Sequence, residues 1–321
     1  MSAGAATGSG PDVSVIVVSY GTREMTLACL RSVFAETIRV TFEVLVVDNQ
    51  SPDGSANAID AEFGDRVRLM RADSNLGFAA ANNFAASEAR GKYLLLLNPD
   101  TIILDRAIDN LVAFAGDRPA GRVWGGRTVF ADKSLNPGSC WRRMTLWGLL
   151  CRATGLTRAL ASNALFNPEE YGGWRRNCVR HVDIVSGCFL LIEHSLWDAL
   201  GGFNPEFFMY GEDADLCLRA HRLGARPIVT PSATIVHYGG ASEKARADKL
   251  VRLLSAKTTL IRHHMPGPRQ RIGMMLLAAW PLTRAIAQSV LLRVRRPSGS
   301  SVERSWIEAW QRRGEWLTWG R

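Results

Sequence analysis

The sequence lacks the cysteine patterns of a zinc site or a disulfide framework. Its six cysteines form no C-x-x-C pair and have no regular spacing, so we expect buried free thiols. Two phosphate-binding motifs are also missing. No G-x-G-x-x-G follows the first predicted strand, and no G-x-x-x-x-G-K-S/T occurs. These absences argue against a dinucleotide-binding oxidoreductase and against a P-loop enzyme.

The first residues contain no apolar segment like that of a secretory signal peptide. They are small and rich in Gly and Ser, so we expect residues 1–11 to form a flexible leader of a cytosolic protein. The chain has 321 residues, of which 47% are hydrophobic. It can therefore bury the core of one large domain, or of one domain with an appendage.

The positive charge of the chain is concentrated in its C-terminal part. The formal net charge is +9, and residues 241–321 alone contain sixteen Lys and Arg against five Asp and Glu. Such a segment can bind nucleic acid or anionic lipid, or it can be a solvated helix face. Apolar stretches at 272–280 and 290–292 lie among these arginines, and tryptophans follow at Trp306, Trp310, Trp316 and Trp319. This combination favours a membrane interface over nucleic acid.

The apolar stretch is interrupted by Pro281 and Arg284. A membrane-spanning helix needs ~20 apolar residues, so we expect residues 243–321 to form a basic helical extension that lies on the membrane. The predicted location is cytoplasmic, peripheral on the anionic inner face of the cytoplasmic membrane.

Alternating strand and helix patterns predict an α/β fold. Residues 13–19 form a β-branched run, and residues 23–34 have helical spacing. The pattern repeats over 42–63 and 67–89, and a fourth apolar run follows at 93–97. Repeated strand-helix units predict a mostly parallel sheet with helices on both faces.

Beyond residue 100 the pattern is less regular. We expect a helix at 105–114, a strand within 122–130, irregular loops and short helices over 135–176, a strand at 182–192 and a helix at 195–200.

Two acidic residues follow predicted strands at the same edge of this sheet. Asp48 ends the second strand, and Asp100 follows the fourth through Asn98 and Pro99. Open α/β sheets bind ligands at this edge. A carboxylate there can hold Mg²⁺ or Mn²⁺ against a diphosphate, or can accept a hydrogen bond from a nucleoside. The alternative is an ordinary turn or helix cap, which does not explain Asp48 inside an apolar run.

A segment with a glycine and small residues begins the third helix. Asn75 and Gly77 lie there, where the backbone can approach a phosphate or a sugar closely. Close packing of the helix against another segment explains the glycine equally well.

The strongest candidate for chemistry is the acidic cluster Glu212-Asp213-Ala214-Asp215, which begins a helix after five residues that include three aromatics. Acids stabilise a helix N-terminus, and the same position favours an ionised carboxylate that can take a proton from a sugar hydroxyl.

Further along, His237 ends a short strand before two glycines. Most single histidines are structural or exposed, but this one could be a second ligand to a divalent ion. The helix that begins at the acidic cluster has a predicted apolar face formed by Leu216, Leu218, Ala220 and Leu223.

Five segments together resemble family 2 glycosyltransferases, with the bacterial rhamnosyltransferase-like group as the nearest type. They lie at 15–20, 47–55, 75–78, 97–100 and 211–219, and the likeness covers residues 11–242. The resemblance implies a GT-A fold over residues 12–242, with a nucleotide-sugar half at 12–100 and an acceptor half at 101–242. It also implies inverting transfer of a sugar, such as rhamnose, from a UDP- or dTDP-linked donor. The implied acceptor is a glycan or lipid-linked glycan of cell-envelope polysaccharide synthesis.

The resemblance implies roles for single residues. Tyr20 and Asp48 would contact the nucleoside, and Asn75, Gly77 and Asn98 would complete the donor site. Asp100 and His237 would hold Mg²⁺ or Mn²⁺, Asp213 would be the catalytic base, and Glu212 would contact the acceptor. The chain departs from the family in having Asn98 where the first acid of an Asp-x-Asp motif stands, which leaves one charge fewer at the metal.

Two other functions fit part of this pattern. A sugar nucleotidyltransferase also has a parallel sheet with an acid at a strand end, but it needs a Gly-rich basic loop after the first strand. Residues 20–24 match such a loop poorly. A catalytically inactive module that binds glycan or membrane is the other alternative, and the intact Glu212-Asp213 pair favours an enzyme over it.

Overall fold

A computed structural model describes residues 10–239, 246–294 and 304–318 of the chain. The predicted leader lies outside the described residues except for its last two positions. Trp319 and the predicted domain boundary at residue 242 lie outside them as well.

The N-terminal part of the chain alternates between strands and helices, as its apolar periodicity predicts. The elements are β1 (Val13–Ser19), α1 (Arg23–Glu36), β2 (Phe42–Asp48), α2 (Ser55–Phe63), β3 (Arg68–Arg71), α3 (Gly77–Ala86) and β4 (Tyr93–Leu97).

The next part contains shorter elements with longer connections. They are β5 (Thr101–Ile103), α4 (Ala107–Asp117), β6 (Val123–Val129), β7 (Leu135–Asn136), β8 (Cys140–Trp141), α5 (Leu146–Thr154), α6 (Leu156–Ala159), β9 (Arg180–His181), β10 (Ile184–Val185), β11 (Phe189–Glu193), α7 (His194–Leu200), α8 (Glu212–Arg222) and β12 (Ile228–His237).

Two expectations for this part are wrong. The strand predicted at 182–192 is divided at Ser186, because β10 pairs with β8 in a small separate sheet and β11 joins the main sheet. Leu223, assigned to the buried face of α8, is 49% exposed because the helix ends at Arg222.

The main sheet brings most of its strand ends to one edge. Its order is β3-β2-β1-β4-β11-β6-β12-β5. Strands β1 to β4 are mutually parallel, β11 is antiparallel to both of its neighbours, and β12 is parallel to β6. The start of β11 therefore lies beside the carboxyl ends of β1, β2, β4, β6 and β12.

The sheet is covered by helices on both faces, which explains why its strands are continuously apolar. Val15 and Val17 of β1 pack with residues of α1, α2 and α4. Ile16 and Val18 of the same strand pack with residues of α3, α7 and α8 on the opposite face.

Four helices follow the main sheet: α9 (Arg246–His264), α10 (Pro268–Val294), α11 (Ser305–Gln311) and α12 (Arg313–Trp316). Leu254, Leu277 and Trp316 contribute to a third hydrophobic cluster between them. Pro281, which interrupts the apolar stretch, lies inside α10 and does not end the helix. Trp280 and Ala285 on either side are buried, and this packing offsets the one backbone hydrogen bond that a proline removes.

Among the described residues, one helix is long and apolar enough to cross a membrane by length and composition. It is the segment Pro268–Arg293, with a mean hydropathy of 1.4 over an 18-residue window of which 22% is buried. Because core helices of soluble proteins meet the same criteria, this finding is weak evidence for a span.

Candidate active site

A large cavity of about 1320 Å³ opens at the edge of the sheet where the strand ends meet. Seven of the predicted site residues line it: Tyr20, Asn75, Asn98, Asp100, Glu212, Asp213 and His237. Asp48 and Gly77 are not among its lining residues. The cavity continues beyond the sheet between α5 and α9, so one side is formed by the parallel strands and the other by the later helices.

Asp100 and His237 meet at the centre of this edge. Oδ1 of Asp100 lies 3.4 Å from Nε2 of His237, while Oδ2 of Asp100 accepts a hydrogen bond from the Gly239 N–H at 3.0 Å. The side-chain nitrogen of Asn98 is also 3.4 Å from Nε2 of His237. Asn136 donates to the His237 carbonyl at 3.1 Å, which helps to hold the end of β12 in place.

Opposing effects act on the ionisation of His237 in this pair. Burial opposes protonation of His237, but the neighbouring Cys188 and Asp100 outweigh it and raise the pKa of His237 to about 10. Without a cation, His237 therefore carries a proton that faces Asp100. A divalent ion would have to replace that proton, since imidazole binds metals in its neutral form.

The donor atoms at this point fit Mg²⁺ or Mn²⁺ with few protein ligands. One carboxylate oxygen and one imidazole nitrogen converge there, and Mn²⁺ accepts both types. Within the described part of the chain, no group of three or more His, Cys, Asp or Glu side chains could hold a metal ion. The remaining ligands would come from a diphosphate and water.

Asp48 lies buried behind the cavity wall at the end of β2. Its Oδ2 accepts a hydrogen bond from the Ser51 N–H at 3.1 Å. Its Oδ1 is buried without a hydrogen-bond partner among the described residues. A buried acceptor left unpaired is uncommon and calls for an explanation. A donor group of a bound nucleoside is one such partner, and Tyr20, which is 41% exposed, lies on the same side of the cavity.

Asn49 also belongs to this region, although the sequence analysis did not select it. Its Oδ1 accepts from the Leu76 N–H at 2.8 Å, and its Nδ2 donates to Oδ1 of Asn75 at 2.9 Å. It lines the cavity and connects the end of β2 to the start of α3. The sequence signal that could have selected Asn49 is its position directly after Asp48, the last residue of β2.

Gly77 provides room for protein rather than being exposed to the cavity. It has a φ of +79°, and a Cβ at this position would lie 2.5 Å from the Phe208 carbonyl oxygen. The next residue, Phe78, donates its N–H to the same oxygen at 2.8 Å. The close-packing explanation, left open by the sequence, therefore accounts for this glycine. The contact places the aromatic segment before α8 beside the cavity.

Asp213 is held at the N-terminus of α8 by backbone donors. Its Oδ2 accepts from the Gly187 N–H at 3.1 Å, and its Oδ1 accepts from the Ala214 N–H at 2.7 Å. Gly187 lies in the break between β10 and β11. That break therefore supplies a donor to the candidate base and explains why a continuous strand does not form there.

Glu212 and Asp213 form a coupled pair of carboxyl groups. Oε2 of Glu212 is buried without a partner among the described residues. Burial and the neighbouring charge of Asp213 raise the pKa of Glu212 to about 8. Burial also raises the pKa of Asp213, but its backbone donors oppose that rise. Within the pair, the raised pKa favours the proton on Glu212, and the backbone donors favour the ionised form of Asp213, the form that a general base needs.

The third acid of the cluster has a structural environment. Asp215 is buried and binds Nε of Arg219 at 2.7 Å and Nε2 of His264 at 2.9 Å. Arg219 in turn donates to the carbonyls of Leu200 and Gly202, each at 2.8 Å. Asp215 thus joins α8 to α9 and to the end of α7.

The far side of the cavity carries basic groups. Lys257 binds Glu169 at 3.0 Å and Arg152 binds it at 3.2 Å. Burial opposes ionisation of Glu169, but these two cations lower the pKa of Glu169 to about 2. Lys249 of α9 lies 5.8 Å from the ring of Tyr210. Aromatic and cationic side chains therefore face the space in front of Asp213.

The comparisons with known proteins agree with this geometry. A sequence profile described as glycosyl transferase family 2 matches residues 14–183. The chain belongs to this family. The matched region contains β1 to β4 and the Asn98-Pro99-Asp100 segment but ends before α8, so the assignment of Asp213 rests on the structure and on the segment resemblance.

Two curated relatives show the kind of protein this family member resembles. It is 28% identical over 243 residues to the O-antigen biosynthesis protein RfbC of Myxococcus xanthus, a match that covers 74% of this chain and 18% of that protein. It is 27% identical over 242 residues to the N-acetylglucosaminyl-diphospho-decaprenol L-rhamnosyltransferase of Mycobacterium tuberculosis, a match that covers 70% of this chain and 75% of that protein. The chain therefore spans less than a fifth of the length of the Myxococcus relative.

A solved structure shares the fold over nearly the whole chain. It is a mannosyltransferase from Pyrobaculum calidifontis, described as in complex with GDP-Man and Mn²⁺. The TM-score is 0.58 at 18% identity, with 96% of this chain and 88% of that chain covered. This likeness confirms the GT-A architecture that the sequence resemblance implies.

Proposed function

We propose that this protein is an inverting glycosyltransferase that moves a sugar from a nucleoside-diphosphate sugar to a glycan or lipid-linked glycan of the cell envelope. The observation that carries the proposal is that Asp100 with His237 and the carboxylate of Asp213 line one cavity. The first pair suits a diphosphate with its cation. The carboxylate suits an acceptor hydroxyl.

Asp100 and His237 would hold Mg²⁺ or Mn²⁺, with the amide of Asn98 beside them. When bound, the ion would neutralise the diphosphate and make it a better leaving group. The Mn²⁺ described in the mannosyltransferase structure supports this assignment. Because Asn98 is uncharged, Asp100 provides the one carboxylate here, and the nucleotide would contribute much of the cation's binding.

Asp213 would act on the acceptor. It removes the proton of an acceptor hydroxyl while the oxygen attacks the anomeric carbon from the face opposite the diphosphate. The carbon–oxygen bond to the diphosphate breaks, and its electron pair leaves with that group. Configuration inverts in this single displacement, and no covalent enzyme intermediate forms. Glu212, which holds its proton near neutral pH, would donate a hydrogen bond to the acceptor.

Asp48, Asn49 and Tyr20 would bind the nucleoside. The unpaired buried Oδ1 of Asp48 can accept a hydrogen bond from a nucleobase imide. Uracil and thymine both offer that group, which suits a UDP- or dTDP-linked donor. The likeness to an L-rhamnosyltransferase favours dTDP-rhamnose among the donors to be tested.

The C-terminal helices would place the enzyme on the inner face of the cytoplasmic membrane. Helix α10 exposes an apolar stripe, which we define as Ile272, Met275, Ile286 and Val290. Exposed arginines lie near its two ends, Arg271 and Arg293. An apolar face between basic ends suits the surface of an anionic bilayer. In this proposal, residues 12–242 form the catalytic domain and residues 243–321 form the membrane-associating extension.

A donor panel tests the reaction. Purified protein is incubated with UDP- and dTDP-sugars and an acceptor, with and without EDTA, and the released nucleoside diphosphate is measured. We expect release with one donor class and its loss with EDTA. Absence of release with every donor would support the inactive binding module. Pyrophosphate formed from a nucleoside triphosphate and a sugar phosphate would support the nucleotidyltransferase.

A further inference from the structure

A second cavity of about 390 Å³ lies next to the catalytic cavity, and arginines form much of its wall. The four arginines come from four different helices: Arg152 from α5, Arg158 from α6, Arg246 from α9 and Arg284 from α10. Two indole rings, those of Trp280 and Trp306, complete the wall with centroids 5.6 Å apart. We call this cavity the arginine pocket.

Three of the four arginines have no carboxylate partner within the described residues. Arg152 is neutralised, because it binds Glu169 at 3.2 Å and Glu170 at 3.6 Å. Arg158, Arg246 and Arg284 form no such ion pair among the residues that the structure describes. The hydrogen bond of the Arg284 side chain is to the Arg152 carbonyl at 3.5 Å.

These positive charges are close enough to disfavour one another. Burial lowers the pKa of Arg284, and the like charge of Arg158 lowers it further. Arg284 is partly buried and Arg158 is exposed at the rim. An anion bound between the two guanidinium groups would reduce their mutual repulsion.

The arginine pocket and the catalytic cavity are neighbours. Arg152, Glu170 and Trp280 line both of them. A ligand with a sugar at one end and a charged group further along can therefore contact both cavities.

We propose that the arginine pocket binds a phosphate or diphosphate group carried on a lipid, and that it does so as part of acceptor binding. The guanidinium group presents its donors in a fork that matches phosphate oxygens. The two indoles can pack against the first apolar carbons beyond the phosphate, because an indole has a large apolar surface. The role in acceptor binding rests on the function proposed above, whereas the anion site itself does not.

A binding experiment with a soluble isoprenyl diphosphate tests the site. Farnesyl diphosphate is titrated into the full chain in EDTA, so that binding through a divalent cation at Asp100 does not contribute. The double variant Arg158→Gln/Arg284→Gln is compared with Arg39→Gln/Arg118→Gln, which removes the same charge from exposed arginines that line neither cavity. We expect the pocket variant to bind at least about tenfold more weakly, and the control to bind like the wild type.

Equal weakening in both variants would overturn the proposal, because it would reflect net charge alone. Absence of binding to the wild-type protein would overturn it as well. Heat stability of each variant is measured in parallel, and Arg158→Lys/Arg284→Lys is included because it keeps the charge. Partial recovery of binding in that variant is expected for a phosphate site.

Two kinds of vesicle distinguish the sources of the phosphate. Phosphatidylcholine vesicles carrying a polyprenyl diphosphate present an acceptor-type lipid, and phosphatidylglycerol vesicles present ordinary headgroups. If the pocket variant loses binding only to the vesicles that carry the polyprenyl diphosphate, the acceptor role is supported. If it loses binding only to the phosphatidylglycerol vesicles, the pocket binds headgroups and the acceptor role is overturned.

The proposed function and the anion site can be tested independently of each other. If the wild type releases no nucleoside diphosphate from any donor but still binds farnesyl diphosphate through these arginines, the anion site stands and the transferase does not. If the protein is a transferase, the pocket variant should show a raised KM for the lipid-linked acceptor, and the control variant should not.

Discussion

Oδ1 of Asp100 lies 3.4 Å from Nε2 of His237, although the two residues belong to segments far apart in the chain. The contact forms because β5, which begins directly after Asp100, pairs antiparallel with β12 and sets Thr101 opposite His237. A carboxylate and an imidazole are thereby held beside the loop that carries Asn98. The predictions below concern this pair, the acids of α8 and the surface of α10.

Substitution of the proposed base should stop the reaction without unfolding the protein. We expect Asp213→Asn to lower kcat by about 10²- to 10⁴-fold, because the amide cannot take the acceptor proton. Nucleotide affinity, measured by calorimetry, should remain within about twofold of the wild type, since Asp213 lies on the acceptor side. Asp198→Asn, on an exposed residue of α7, serves as the control. Rates near those of the wild type would remove Asp213 from the mechanism.

The neutral form of Glu212 predicts a particular dependence of stability on pH. Its pKa in the folded protein is raised to about 8, whereas an unfolded glutamate titrates near ~4.3. The folded state therefore holds the extra proton between these values, and stability falls as pH rises through that window. Glu212→Gln removes this titration, so its Tm should decline less than that of the wild type between pH 5 and pH 8.

The exposed residue Glu24 provides the control for this measurement. Glu24→Gln should reproduce the pH dependence of the wild-type Tm. Parallel curves for wild type and Glu212→Gln would show that Glu212 is already ionised at neutral pH, and the proton assignment in the coupled pair would be wrong.

The metal site should respond in opposite directions to two substitutions. Asn98→Asp adds the carboxylate that the chain lacks, so we expect it to lower the Mn²⁺ concentration needed for half-maximal turnover. Asp100→Asn removes the existing carboxylate and should raise that concentration at least about tenfold, the equivalent of 1.4 kcal/mol. The measurement is nucleoside diphosphate release in a metal titration after EDTA treatment. Unchanged titration curves for both variants would place the cation elsewhere.

The apolar stripe of α10 should determine membrane association. Deleting the tail would expose Leu149 and Ala153 of α5, which are buried against it, so substitution on the surface is the cleaner test. We expect Met275→Glu/Ile286→Glu to lower co-sedimentation with anionic liposomes, because each new charge would have to enter the apolar part of the interface. Ile38→Glu/Phe84→Glu, which adds the same two charges on exposed residues outside α10, is the matched control. Equal sedimentation of all three proteins would argue against the stripe as the contact surface.

The parallel half of the fold could be predicted because its signals are local. The β-branched run of β1, the apolar run of β4 and the helical spacing between them depend on neighbours a few residues apart. The positions of Asp48 and Asp100 follow from the same reasoning, since parallel strands with helical crossovers present their carboxyl ends at one edge. The acid cluster and His237 could also be selected from their positions at the ends of elements, and the family resemblance added their roles.

Contacts between distant segments decided the rest. Three features depend on which segments pack together. The predicted strand is divided at Ser186, Gly77 leaves room for Phe208, and Asp215 forms structural ion pairs whereas Asp213 lines the cavity. The continuation of α10 through Pro281 depends on packing by its neighbours in the same way.

The sequence by itself thus determined the periodic elements, the family and the acids that face the cavity. These features depend on the local spacing of apolar residues and on short segments in a fixed order. Only the tertiary structure decided which carboxylate keeps a proton and which is tied by Arg219 and His264. It alone brought Arg158, Arg246 and Arg284 around one pocket. The reason is physical. Burial and the field of neighbouring charges arise from residues that folding brings together, and the spacing of residues along the chain does not specify which residues these are.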